Sequence, residues 1–113
     1  MYNRNMIQMH NIKIQQRFAD AKLDEDKLFE VRVDDRYYQK GDLIKYQATT
    51  NIDDSTSCYR YLDHHPINKR VYEITYVYRG PGVEQGYVVL GERDVTEDYT
   101  NKTGKYENLQ KIE

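Results

Sequence analysis

The sequence predicts one small α+β domain built around a curled or closed β-sheet. Three observations point there. The chain has 113 residues, enough for one hydrophobic core and too few for two domains. Val, Ile, Leu and Phe supply only 24 residues, so the 12 tyrosines must provide much of the buried area. Each tyrosine ring buries a large surface and keeps a hydroxyl that needs a partner. The β-branched and aromatic residues also fall into short alternating runs, interrupted by one helical stripe.

Taken in order, "HNIKI" (10–14) alternates and reads as the first strand. "QRFADAKLDED" (16–26) places Phe18, Ala19, Ala21 and Leu23 on a partial helical stripe, which predicts one or two helical turns. "LFEVRV" (28–33) is the second strand. Side chains alternate along a strand, so Phe29, Val31 and Val33 are expected in the core. Leu28, Glu30, Arg32 and Asp34 are then expected to share the outer face. In "YQKGDLIKYQAT" (38–49) a turn at Gly41 and Asp42 precedes a third strand from Leu43. Residues 50–66 are polar without a period and read as an inserted loop closed by Pro66. "INKRVYEITYVYR" (67–79) is expected to be the longest strand, with Tyr72, Ile74, Tyr76 and Tyr78 alternating as core or barrel lining. "GPGVEQG" (80–86) is a turn, and "YVVLGER" (87–93) the return strand. Residues 1–94 then form the domain, and 95–113 a polar C-terminal extension. Tyr106, Leu109 and Ile112 are spaced by three, which fits either a short docked helix or a loose tail.

The charge narrows the function. A net charge of −2 and a pI near 5.9 exclude a general polyanion binder, which needs a basic footprint. A single cysteine, Cys58, excludes an intrachain disulfide. No apolar run approaches the roughly 20 residues of a membrane span, and the N-terminus carries no apolar leader, so a cytoplasmic location is expected. Cys58, Asp63, His64 and His65, with His10 as a possible spatial neighbour, do not show the paired short spacings of a zinc site. No Cys-His nucleophile is assigned at Cys58. "RGPGVEQG" lacks the G-K-[ST] of a phosphate loop. No metal, cofactor or catalytic residue is assigned.

The densest stretch is "KLFEVRVDDRYYQKGD" (27–42). Its charged face is either a solvated strand surface with one weak ion pair or a ligand-holding surface. Residues 22–42 carry five basic and seven acidic side chains, so a run of phosphates is a poor match. A base or nucleoside suits mixed charge better, because Arg32 offers a donor fork, Glu30 an acceptor, and Tyr37 or Tyr38 a ring for stacking.

The same stretch carries a resemblance. "KLFEVR" resembles the latter part of the G-x-K-x-x-E-x-R signature of ASCH domains, of the PUA-like superfamily. "HNIKI", "KLFEVRVDDRYYQKGD" and "GYVVLG" (86–91) together resemble the bacterial and phage ASCH-like domains of unknown function, over about residues 9–93. The resemblance implies a small PUA-like β-barrel of about five or six strands with one or two short flanking helices, and a cleft along one side. It implies a single-stranded RNA segment or a nucleotide as ligand. The signature carries over to Lys27, Glu30 and Arg32, and the longer pattern to His10, Lys13, Asp35 and Arg36; Tyr37 joins them as the stacking candidate. The signature glycine falls at Glu25, so the turn before Lys27 is expected to differ. Some ASCH relatives are amidohydrolases of an acetylated cytidine that use a Lys, a Thr and a Glu. Here the Thr position is Glu30, which removes the hydroxyl nucleophile. That activity, or a phage or mobile-element protein that binds a host protein, is the alternative.

Overall fold

A computed structural model describes residues 6–107. Its centre is one five-stranded sheet. Strand β1 (Met9–Gln15) runs directly into helix α1 (Gln16–Leu23), followed by β2 (Phe29–Val33), β3 (Leu43–Thr49), β4 (Tyr72–Tyr78) and β5 (Tyr87–Asp94). A second short helix, α2 (Thr96–Asn101), comes after the sheet. The strand order is β1-β3-β4-β5-β2. β1 pairs with β3 in parallel, and the other pairings are antiparallel. The sheet curls into a half-barrel, with β1 and β2 as its two edges. No helix among the described residues is long and apolar enough to cross a membrane.

The concave face holds the main core. Ile12 and Ile14 come from β1, Ile44, Tyr46 and Ala48 from β3, Tyr72 and Ile74 from β4, and Val88 and Leu90 from β5. Tyrosine does supply buried area, as its abundance predicted: Tyr46 and Tyr72 meet edge to face at 5.7 Å between ring centres. Helix α1 closes one end of the half-barrel with Ala19, Lys22 and Leu23, a spacing of three and four that shares one helical face. The strand β3 is buried on both faces at its start. Leu43 packs outward against Val71, Val95 and Tyr106 in a second cluster. Residues 95–106 therefore cover part of the sheet. Glu73 holds them there by pairing with Lys105, and it also accepts from Arg93 at 2.6 Å. Of the proposed end helix, Leu109 and Ile112 lie outside the described residues.

Two strand faces differ from expectation. On β2, Phe29, Val31 and Val33 are about half exposed, and Glu30 is buried. Glu30 and Arg32 lie opposite Leu90 and Val88, whose side chains are fully buried. Cross-strand partners share a face, so pairing with β5 turns the charged residues of β2 inward. On β4, a bulge at Thr75 shifts the register between Ile74 and Tyr76. The extra residue reverses the alternation. Tyr72 and Ile74 face the core, Val77 packs against it, and Tyr76 is 62% exposed. Residues 67–69 are not strand; Pro66–Lys69 form a 3-10 turn. This leaves β4 with seven residues and makes β5, with eight, the longest strand.

The turn before Lys27 is built without a glycine. Asp26 N–H donates to Ala21 O at 2.9 Å and Glu25 N–H to Lys22 O at 3.0 Å, the pattern that ends a helix through a left-handed residue. That residue is Glu25, with φ 63°. A side chain there is strained by about 1 kcal/mol or more. Glu25→Gly is therefore expected to raise the unfolding free energy by about 1 kcal/mol in urea titrations. An unchanged or lower stability would contradict this account of the turn.

Candidate functional site

The two sheet edges do not pair with each other. Arginines from β2 and the turn after it bridge them instead. Arg32 donates to Lys13 O at 3.2 Å, and Arg36 to Asn11 O at 2.8 Å. Beyond Arg32, toward Gln15, the seam opens into a cleft of about 520 Å3. This lies within the range of small-molecule sites, roughly 300–1,000 Å3. β1 contributes Lys13 and Gln15, and β2 contributes Glu30, Val31 and Arg32. Phe18 of α1 and Ile52 and Tyr59 of the 50–66 loop form apolar walls.

Three cations and one carboxylate line this cleft, although the chain as a whole is negative. Lys27 pairs with Glu30 and donates to Phe29 O at 2.8 Å. Its ammonium lies 4.8 Å from the Phe29 ring centre and 5.5 Å from that of Phe18. Lys13 donates to the Tyr59 hydroxyl at 3.0 Å and lies over the Tyr59 and Tyr61 rings. That hydrogen bond raises the Lys13 pKa and lowers the Tyr59 pKa, so Lys13 stays charged. It faces no carboxylate closer than a salt-bridge distance among the described residues.

Behind Glu30 a polar network runs into the core. Lys22, 1% exposed, binds Glu92 at 2.6 Å and Glu30 at 3.5 Å. It also donates to Phe29 O at 3.3 Å. Its ammonium lies 5.2 and 5.6 Å from the Tyr46 and Tyr72 ring centres. Tyr46 donates to Glu92 at 2.5 Å. Burial, reinforced by the Glu92 charge, pushes the Tyr46 pKa well above the usual value, so its hydroxyl keeps its proton and remains a donor. Burial also raises the Glu92 pKa, against the pull of Lys22.

The residues expected at the site divide into three groups. Lys13, Lys27, Glu30 and Arg32 meet at the cleft. His10 does not: it is buried at the other end of β1, bonded to Asp42 at 2.9 Å and packed on Tyr38. Asp42 also accepts from Gln8 N–H and Gln39 N–H, so this pair anchors the Gly-Asp turn. Asp35 and Tyr37 line a separate depression with Asp34 and Arg79, and Arg36 lies beside Asp35. Tyr37 therefore does not stack over the cleft. In the loop, His65 bonds Asp20 at 2.8 Å, and Cys58 is exposed. Among the described residues no group of three or more His, Cys, Asp and Glu could hold a metal.

Sequence reasoning missed Lys22, Tyr46 and Glu92, and the walls Phe18, Ile52 and Tyr59. Lys22 carried a signal, because it stands three residues after Ala19 on the same helical face. Ile52 and Tyr59 carried none, since their loop has no period.

Residues 9–92 match the model of a family described as a domain of unknown function (DUF3850), and the chain belongs to that family. No curated protein matches the chain.

Removing one member of a buried ion pair leaves the other charge uncompensated. Glu92→Ala is expected to cost about 3–5 kcal/mol in urea unfolding. The double change Lys22→Met with Glu92→Leu should recover most of that loss. A loss below about 1 kcal/mol for Glu92→Ala, the level of an exposed pair, would mean the network contributes little to holding the fold.

Proposed function

We propose that the seam cleft of this DUF3850 domain binds one nucleotide, free or as a unit of single-stranded RNA. The observation that carries the reading is the concentration of three cations and aromatic walls in one cleft of an otherwise acidic chain. The cations suit one or two phosphates, and Phe18 and Tyr59 suit the faces of a base, since stacking on aromatic side chains is how unpaired bases are held. The volume suits a nucleotide and is too small for a duplex. Lys13 and Arg32 meet the phosphate, while Lys27 and Glu30 brace the wall between them.

We read the half-barrel as a PUA-like barrel of the ASCH type, open at its seam. Three features support this. The signature residues Lys27, Glu30 and Arg32 share the cleft. Glu25, at the signature glycine, has the left-handed conformation that glycine favours. The sheet is five-stranded and curled, with short helices beside it. An amidohydrolase acting on an acylated nucleoside would need a hydroxyl beside Lys27. Glu30 stands there instead, and Thr49, which also lines the cleft, donates its hydroxyl to Thr50 O at 2.9 Å. No observation favours that chemistry.

Fluorescence anisotropy with short labelled single-stranded RNA tests the reading. Wild-type protein should bind, and Arg32→Ala should weaken binding about tenfold, the worth of one charge-assisted hydrogen bond. Lys40→Ala removes an exposed charge away from the cleft and should leave affinity unchanged. The log–log salt slope should be shallow, about −1, as one or two phosphate contacts require. Equal binding by wild type and Arg32→Ala, or no binding of any ribonucleotide, would refute the assignment.

A further inference from the structure

The β2 wall of the cleft has few side chains free to read a base. Glu30 is held by Lys22 and Lys27. Lys27 is held by Glu30 and Phe29 O. Arg32 reaches across to Lys13 O. The main chain is different. Leu28 O accepts from Glu92 N–H, and Asp34 N–H donates to Gly86 O. These two bonds fix the alternation: even-numbered residues of β2 bond to β5, and Phe29, Val31 and Val33 turn their amides to the seam. Phe29 O is taken by Lys22 and Lys27. Val33 O is taken by Asp35 N–H at 3.0 Å. Across the seam, Lys13 O and Asn11 O are taken by the two arginines. Val31 alone on the β2 edge is left with both its N–H and its C=O open, among the described residues, and it lines the cleft.

We propose that the main chain of Val31 reads the hydrogen-bonding edge of a single unpaired base. This rests on the nucleotide-binding reading above and assigns its specificity. An N–H and a C=O on one side of an extended residue make a donor beside an acceptor. Every nucleobase carries the complementary acceptor and donor side by side on its Watson–Crick edge. The site therefore accepts any base whose edge is free, and rejects one that is paired or methylated on that edge. Phe18 and Tyr59 hold the base faces, and Lys13 and Arg32 the phosphate. A peptide strand adding to the same edge is disfavoured, because a ladder uses both the N–H and the C=O of alternate residues, and the carbonyls of Phe29 and Val33 on either side of Val31 are already taken.

The test is a nitrogen-15 NMR titration of the full chain with four probes: uridine 5′-monophosphate, its N3-methyl derivative, adenosine 5′-monophosphate and ribose 5-phosphate. The two unmodified nucleotides should shift the Val31 amide proton downfield, together with Lys13 and Arg32. The N3-methyl derivative should bind about tenfold more weakly, near 1.4 kcal/mol for a lost hydrogen bond, without the Val31 shift. Ribose 5-phosphate should move Lys13 and Arg32 only. If methylated and unmethylated nucleotides bind equally through Lys13 and Arg32 and Val31 does not move, the base-reading assignment is wrong and nucleotide binding stands. If no probe binds, both fail. A Val31 amide that responds to an extended peptide and to no nucleotide would assign the edge to strand addition and overturn the proposal.

Discussion

The buried pairing of Lys22 with Glu92 is the constraint on which the other features of the cleft depend. Each ion alone would lose several kcal/mol on leaving water. Together they are satisfied by each other, by Tyr46 and by the carbonyl of Phe29. The pair ties α1 to β5 and reaches the edge of β2 at the same point. It supplies the positive charge against which Glu30 can turn inward, 3.5 Å from Lys22. Once Glu30 faces in, Arg32 faces in too, two residues along the same strand. Arg32 is then aimed across the seam at β1, and Lys27 is drawn to Glu30. The cleft is the space those commitments leave open.

Much of the fold was legible in the sequence. Five strands and the helix appear close to where alternation and helical spacing put them, because long periodic runs carry a strong local signal. The Gly41-Asp42 turn was legible as well, since Gly41 takes φ 95° and Asp42 bonds the turn. The faces of the strands were harder. Apolar residues on β2 argued for an inward face that is taken instead by Glu30, which is buried, and Arg32, which lines the cleft. Alternation gives two faces but not which one is inside; that choice was made by partners outside the strand, Lys22 on the preceding helix and Glu92 on the distant strand β5. The β4 bulge is likewise a property of the pairing with β5, and no residue near Thr75 announces it. As for the site, Lys13, Lys27, Glu30 and Arg32 were readable from a motif. His10, Asp35 and Arg36 share that motif and not the cleft, because a linear pattern does not distinguish residues that brace a turn from residues that line a groove; Tyr37, expected as a stacking ring, also lies apart from the cleft.

The inversion of β2 has a second consequence. Phe29, Val31 and Val33 are left outward beside Tyr87 and Val89 of β5, so the convex face near this edge is apolar. The strand thus turns its charges toward the seam and its apolar side chains toward solvent, the reverse of an ordinary amphipathic strand. That arrangement is costly unless the inward charges are engaged, and every one of them is.

The central claim is that the seam, and not the convex face, holds a nucleotide. Photocrosslinking with single-stranded RNA containing 4-thiouridine, followed by mass spectrometry of the peptides, tests it most directly. The account predicts crosslinks at Phe18, Val31 or Tyr59, suppressed by excess free nucleotide. Crosslinks confined to Tyr76 and Tyr87 on the convex face would contradict it.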